Sequence, residues 1–232
     1  MIRAVLFDAG ETLLSAHPSF PELLATTLRT EGHDHVTPGL IHDQVRLVGP
    51  LFEEATKQGR LWSTSAEESL AFWSELYRVL LGALGVPFTE ELARTLYGTF
   101  TDVANYRLFD DALPVLAKLR DAGLRLGLIS NFEQWLERLL EHLEVTDFFE
   151  VRVISGVEGM EKPDPKIFRL ALDRMGVAPE HAAYVGDNVT YDVEPAAALG
   201  MTGVLLDRRG RNEDFQGLRI ASLDELPGVL GL

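Results

Sequence analysis

The chain has 232 residues, 46% of them hydrophobic, and carries a net charge of −15 with a pI near 4.8. That length supports a substantial core, as one large domain or one domain carrying an insertion, while the acidic balance offers no field to attract a nucleic-acid backbone or an anionic membrane. The absence of cysteine removes disulfides, thiolate metal sites and a cysteine nucleophile together, so a metal must be held by oxygen or imidazole. No apolar stretch is long enough to span a bilayer, and Met1-Ile2-Arg3 runs directly into a strand rather than a signal-peptide core. The expectation is a soluble cytoplasmic protein, a monomer or homodimer, with neither nucleic-acid nor membrane partners.

In chain order, Ala4-Val5-Leu6-Phe7 reads as a buried strand that stops at Asp8. Between residues 14 and 105 the pattern becomes helical, with stretches at 21–30, 38–58, 65–84 and 90–103 and no strand. Phe72, Leu76, Val79 and Leu80 recur at helical spacing. Trp62, Trp73 and Tyr77 fit a core better than a substrate cavity, as aromatic residues at such spacing usually do. From Asp111 onward, helices at 111–122, 132–143, 165–175 and 192–199 alternate with strands at 124–129, 149–154, 182–185 and 202–206, with Gly or Pro between them. This is the rhythm of a parallel sheet covered by helices. The fold expected is α/β, with a doubly wound, Rossmann-like core of residues 1–14 and 106–232 and an all-helical domain inserted at 15–105. Arg208-Arg209-Gly210-Arg211 reads as a solvated loop.

Asp8 and Asp187 both follow strand-like runs, and in an open α/β sheet ligands sit beyond the carboxyl ends of the strands. Either aspartate alone would serve equally as a cap for the next turn. Their recurrence at two strand ends favours a hard-cation site, with Mg²⁺ as the expected ion.

Four segments stand in an order that resembles the haloacid dehalogenase superfamily: Leu6-Phe7-Asp8-Ala9-Gly10-Glu11-Thr12-Leu13, then Leu128-Ile129-Ser130-Asn131, Lys162-Pro163-Asp164-Pro165, and Val185-Gly186-Asp187 with Asp192. The insertion after the first segment matches the helical cap of one branch of that family. The resemblance implies Mg²⁺-dependent hydrolysis of a small phosphorylated metabolite through an aspartyl-phosphate on Asp8. It assigns Asp8, Asp187 and the carbonyl of Gly10 to the metal, and Asn188 and Asp192 to the groups that orient it. Ser130 and the amide of Asn131 become phosphate donors, and Lys162 the balancing cation. One position departs from the phosphatase pattern: Gly10 stands where an aspartate general acid is usual, which leaves Glu11 and His17 as substitutes to be considered. Two other readings remain open. A 2-haloacid dehalogenase would use Asp8 without a metal, although the tyrosine such enzymes place at position 10 is missing; a low-activity phosphate-binding or scaffold protein would account for Gly10 equally well.

Overall fold

A computed structural model describes residues 1–232 and divides into two compact units, Met1–Ser15 with Leu108–Leu232, and Ala16–Arg107. In the first unit, β1 (Ala4–Phe7) is fully buried and lies near the middle of a six-stranded sheet. Its neighbours are β4 (Arg125–Ser130) and β6 (Ala182–Gly186), both parallel to it; β5 (Val151–Ile154) lies outside β4, and β7 (Thr202–Leu206) with β8 (Leu218–Ile220) outside β6. The register sets Phe7 beside both Leu128 and Val185, so the chain leaves β1, β4 and β6 at nearly one level.

Alternation along each strand divides the side chains between two faces. On one face Leu6, Ile129, Val153 and Tyr184 pack with Ile167, Phe168 and Met175 of the helix Pro165–Met175. That helix has legible ends: Asp164 caps its start by accepting from the Lys166 amide, Pro165 stands where no helical N–H is needed, and Gly176 closes it at φ 60°. The helix Ala112–Asp121 packs against β4 as well. The expected helix at 132–143 starts later, at Leu136, because the Asn131 side chain is used elsewhere and caps nothing there. The expected helix at 192–199 is shortened to Glu194–Ala198 behind a π-turn, Val189–Val193.

Ala16–Arg107 is built from the helices Phe20–Thr30, Pro38–Gln44, Gly49–Lys57, Ala66–Ala83 and Glu90–Thr101. Four of the five begin at a Ser or Thr cap, the fifth has Pro50 in its first turn, and that proline explains why the stretch 38–58 is broken instead of continuous. Its interior gathers Leu24, Leu28, Ile41, Leu76, Tyr77 and Leu80, with Trp73 packed against them; Trp62 is buried too, whereas Val79 is exposed. The expectation that no strand lies in this region is corrected by β2 (Leu14–Ala16), which pairs with β3 (Tyr106–Leu108) in a two-stranded sheet.

The Arg208 side chain is not solvated as expected. It donates to both oxygens of Asp111 at 2.8 Å and to the Thr12 carbonyl at 3.0 Å, with its guanidinium 4.0 Å from the centre of the Phe109 ring. Asp111 also accepts from Ser222 Oγ and the Leu223 amide.

Candidate active site

Asp8, Ser130 and Asp187 are the residues at which β1, β4 and β6 end or have just ended, and the Asp8 amide is tied to the Val185 carbonyl at 2.9 Å. The sheet therefore delivers three groups distant in sequence to one edge. Ser130 Oγ donates to Asp8 Oδ1 at 3.1 Å, and Lys162 Nζ donates to the same oxygen at 2.7 Å. Because both donors converge on Oδ1, Asp8 Oδ2 is the oxygen left to attack or to bind.

Lys162 is 3% exposed, which requires partners for its ammonium. It donates to Asp192 Oδ1 at 2.6 Å as well as to Asp8, and to Tyr184 Oη at 3.1 Å. Burial opposes the ammonium, but the charges of Asp192 and Asp8 outweigh it and raise the pKa above the ordinary lysine value. The backbone of Lys162 is held separately: its N–H donates to Asn131 Oδ1 at 2.6 Å, and Asn131 Nδ2 donates to its carbonyl at 2.8 Å. The side chain of Asn131, a sequence candidate for substrate binding, is thus committed to Lys162.

Asp192 Oδ2 accepts from the Asn188 amide at 3.0 Å. The side-chain oxygen of Asn188 is turned to the π-turn, where it accepts from the amides of Thr190 and Tyr191. Gly186 explains how Asp192 comes so close to the strand: a Cβ there would lie 2.4 Å from its carboxylate. No other residue type leaves that room.

Asp8, Asp187 and Asp192 each bring one carboxylate oxygen within 4.8 Å of the others. Three carboxylates with one bonded ammonium leave negative charge uncompensated. Burial first, then the charges of Asp8 and Asp192, push the Asp187 carboxyl up to about 8. Asp192 is raised as well, chiefly by burial. An oxygen-lined set short of positive charge suits a hard divalent cation such as Mg²⁺.

Of the two acid–base candidates from sequence, Glu11 is bonded outside this cluster. Glu11 adopts φ 56° and is exposed, with its carboxylate paired to Arg209 at 2.6 Å. His17 is exposed and belongs to the other unit. Tyr184 is the site residue that sequence reasoning missed; a tyrosine in an apolar strand reads simply as a strand former.

A family profile for haloacid dehalogenase-like hydrolases matches residues 2–200. The chain belongs to that family. Among curated family relatives, the phosphoserine phosphatase of Thermus thermophilus is 39% identical over 176 residues, covering 71% of this chain and 70% of its own. The glyceraldehyde 3-phosphate phosphatase of Methanopyrus kandleri is 30% identical over 221 residues, covering 93% and 88%. Among solved structures, the magnesium-bound YfnB of Bacillus subtilis aligns over 100% of this chain and 99% of its own with a TM-score of 0.77 and 20% identity, which establishes the likeness of fold. No helix is long and apolar enough to cross a membrane.

Proposed function

We propose that this haloacid dehalogenase-like hydrolase is a Mg²⁺-dependent phosphatase of a small phosphorylated metabolite, with Asp8 as nucleophile. The observation that carries the reading is the double hold on Asp8 Oδ1 by Ser130 and Lys162, beside an Asp187 whose pKa is raised. Fixing one carboxylate oxygen directs the other at phosphorus, which converts binding into alignment. Oδ2 forms the new P–O bond as the ester oxygen departs with its electron pair; water then hydrolyses the aspartyl-phosphate and restores the carboxylate. Lys162 keeps Asp8 and an incoming phosphate dianion from facing each other uncompensated; the Asn131 backbone amide serves as a donor to the phosphoryl oxygens, and Ser130 joins it by turning its single O–H from Asp8 Oδ1 to the bound phosphate. Asp8, Asp187 and the Gly10 carbonyl would hold Mg²⁺, which when bound supplies positive charge for the phosphoryl oxygens; Asp192 and Asn188 orient that set. Within this reading the helical unit Ala16–Arg107 is the cap.

Two phosphatase relatives and a magnesium-bound neighbour support this assignment. A metal-free displacement of halide needs no such cluster of three carboxyl groups around the nucleophile. The test is release of nitrophenol from an aryl phosphate in the presence of Mg²⁺. Wild-type turnover should be lost in Asp8→Asn, by at least about 10³-fold, the scale of removing a nucleophile, while the variant stays folded. Substantial hydrolysis by folded Asp8→Asn would overturn the assignment, and absence of wild-type turnover across aryl and metabolite phosphates would favour the scaffold reading.

A further inference from the structure

Tyr184 sits in β6 with its ring edge-on to Phe168, centroids 5.0 Å apart, and is fully buried. Phenylalanine would fill the same volume without bringing a hydroxyl into the core, where a polar group is costly unless it is bonded. The hydroxyl is bonded twice: it accepts from Lys162 Nζ at 3.1 Å and donates to the Ile129 carbonyl at 2.9 Å. Asp192 Oδ1 lies 3.2 Å away as an alternative acceptor. Ile129 directly precedes Ser130, whose own hydroxyl holds Asp8. One phenol therefore ties the ammonium to the strand that carries a second donor to the same carboxylate.

An ammonium has three N–H groups. At Lys162 they meet three acceptors, Asp8, Asp192 and Tyr184, and the backbone is locked by Asn131. We propose that Tyr184 is a positioning residue, which fixes the ammonium between Asp8 and Asp192 by taking its third N–H. The inference rests on the reading that Lys162 supports Asp8 in phosphoryl transfer. Without the hydroxyl, the third N–H is buried with no partner, and the ammonium is held by the two carboxylates alone, Asp192 at 2.6 Å and Asp8 at 2.7 Å, with no third bond to fix its place between them. The charge facing Asp8 would then be misplaced while the fold and the substrate-binding groups remain.

The experiment is a double-mutant cycle of Tyr184→Phe with Lys162→Ala, read by steady-state kinetics on an aryl phosphate with Mg²⁺. In the wild-type background, Tyr184→Phe should lower kcat about tenfold, a loss on the scale of one hydrogen bond to a charged group, and leave KM within about twofold. In the Lys162→Ala background it should change kcat by less than about twofold, since the group it positions is gone. An equal loss in both backgrounds overturns the proposal, and so does an unchanged kcat in Tyr184→Phe when Lys162→Ala is crippled. Wild-type turnover in Lys162→Ala overturns the role of Lys162 itself, a separate outcome that takes the positioning role with it. A measurement on the unmutated protein guards against failure of a variant to fold: with nitrogen-labelled lysine, the Lys162 ammonium protons should exchange slowly enough with water to give an NMR signal at neutral pH. Absence of that protected signal overturns the proposal.

Discussion

The helical unit and the sheet unit fill their interiors in different ways. Leu24, Leu28, Ile41, Leu76, Tyr77 and Leu80 make the first almost wholly apolar, and its buried polar residues are the uncharged Thr27, Ser63 and Ser69. Every buried charged residue of the protein lies in the sheet unit, with Asp8, Lys162 and Asp192 drawn together beyond the strand ends. An apolar interior stabilises by leaving water and tolerates no cavity. A buried charge cluster is held in place by the rest of the fold, and removal of one member leaves the others buried without compensation.

The largest effect that would sharpen this contrast is a gain. Gly10 has room for a side chain, because a Cβ there would meet only the Phe132 ring at an ordinary 3.8 Å. With no acid at that position, wild-type turnover should fall steeply as the leaving group becomes more basic, and Gly10→Asp should recover up to ~10²–10⁴-fold on alkyl phosphates. A series of phosphate monoesters assayed with both proteins measures the two slopes. A shallow wild-type slope would mean that another residue already supplies the proton, with Glu11 and His17 the first to examine.

In the helical unit, Leu80→Ala should lower stability by about 2–5 kcal/mol through the cavity it leaves. Its thermal increment from Mg²⁺ should equal that of the wild type. A variant that lost the Mg²⁺ increment but kept its midpoint would reverse the roles assigned to the two units.

The metal response should be confined to the sheet unit. At one hundred times its Kd, Mg²⁺ should stabilise the wild type by about 2.7 kcal/mol by mass action, and Asp187→Asn should abolish that increment. The sign of the pH dependence follows from the raised carboxyl. Folded Asp187 keeps its proton up to about 8, whereas the unfolded chain releases it in the ordinary carboxylate range. Between those limits the folded state binds more protons, so this residue's stabilising contribution is present in acid and is lost as pH rises through about 8. Metal-free wild type compared with Asp187→Asn by chemical denaturation isolates that fall, and a rise across the same window would contradict it.

The smallest effect concerns the exposed Arg209–Glu11 pair. Arg209→Ala should cost less than about 1 kcal/mol and leave turnover unchanged; a clear change in kcat would give Glu11 a part in proton transfer.

The legible parts of the sequence were those where local chemistry and tertiary packing agree. The helix Pro165–Met175 and the strand Thr202–Leu206 fall where proline, glycine and apolar runs put them. Leu218–Ile220 was missed because only one of its three residues is buried, which leaves almost no pattern to read. The late start at Leu136 and the turn of Asn188 toward its own loop share another cause: an amide side chain in sequence does not declare which backbone groups it will bond. At the site, the acidic motifs pointed to Asp8, Asp187 and Asp192, which the sheet does bring together. The outward pairing of Glu11, the commitment of Asn131 to Lys162 and the presence of Tyr184 depend on contacts between residues far apart in the chain, and no local pattern encodes them.

Arg208 reaches both the Thr12 carbonyl and Asp111, which lie just before and just after the 92 residues of Ala16–Arg107. Within the sheet unit the Phe109 amide also bonds the Leu13 carbonyl at 3.0 Å, so the two severed ends are fastened side by side. For a flexible connection, closing a loop costs only about 0.6 kcal/mol more for each doubling of its length. A host that has already fixed its own ends is nearly indifferent to what is spliced between them. Exchange of the guest for another of different size then becomes an evolutionary or engineering step that leaves the carboxylate cluster in place, provided the replacement presents ends as close together.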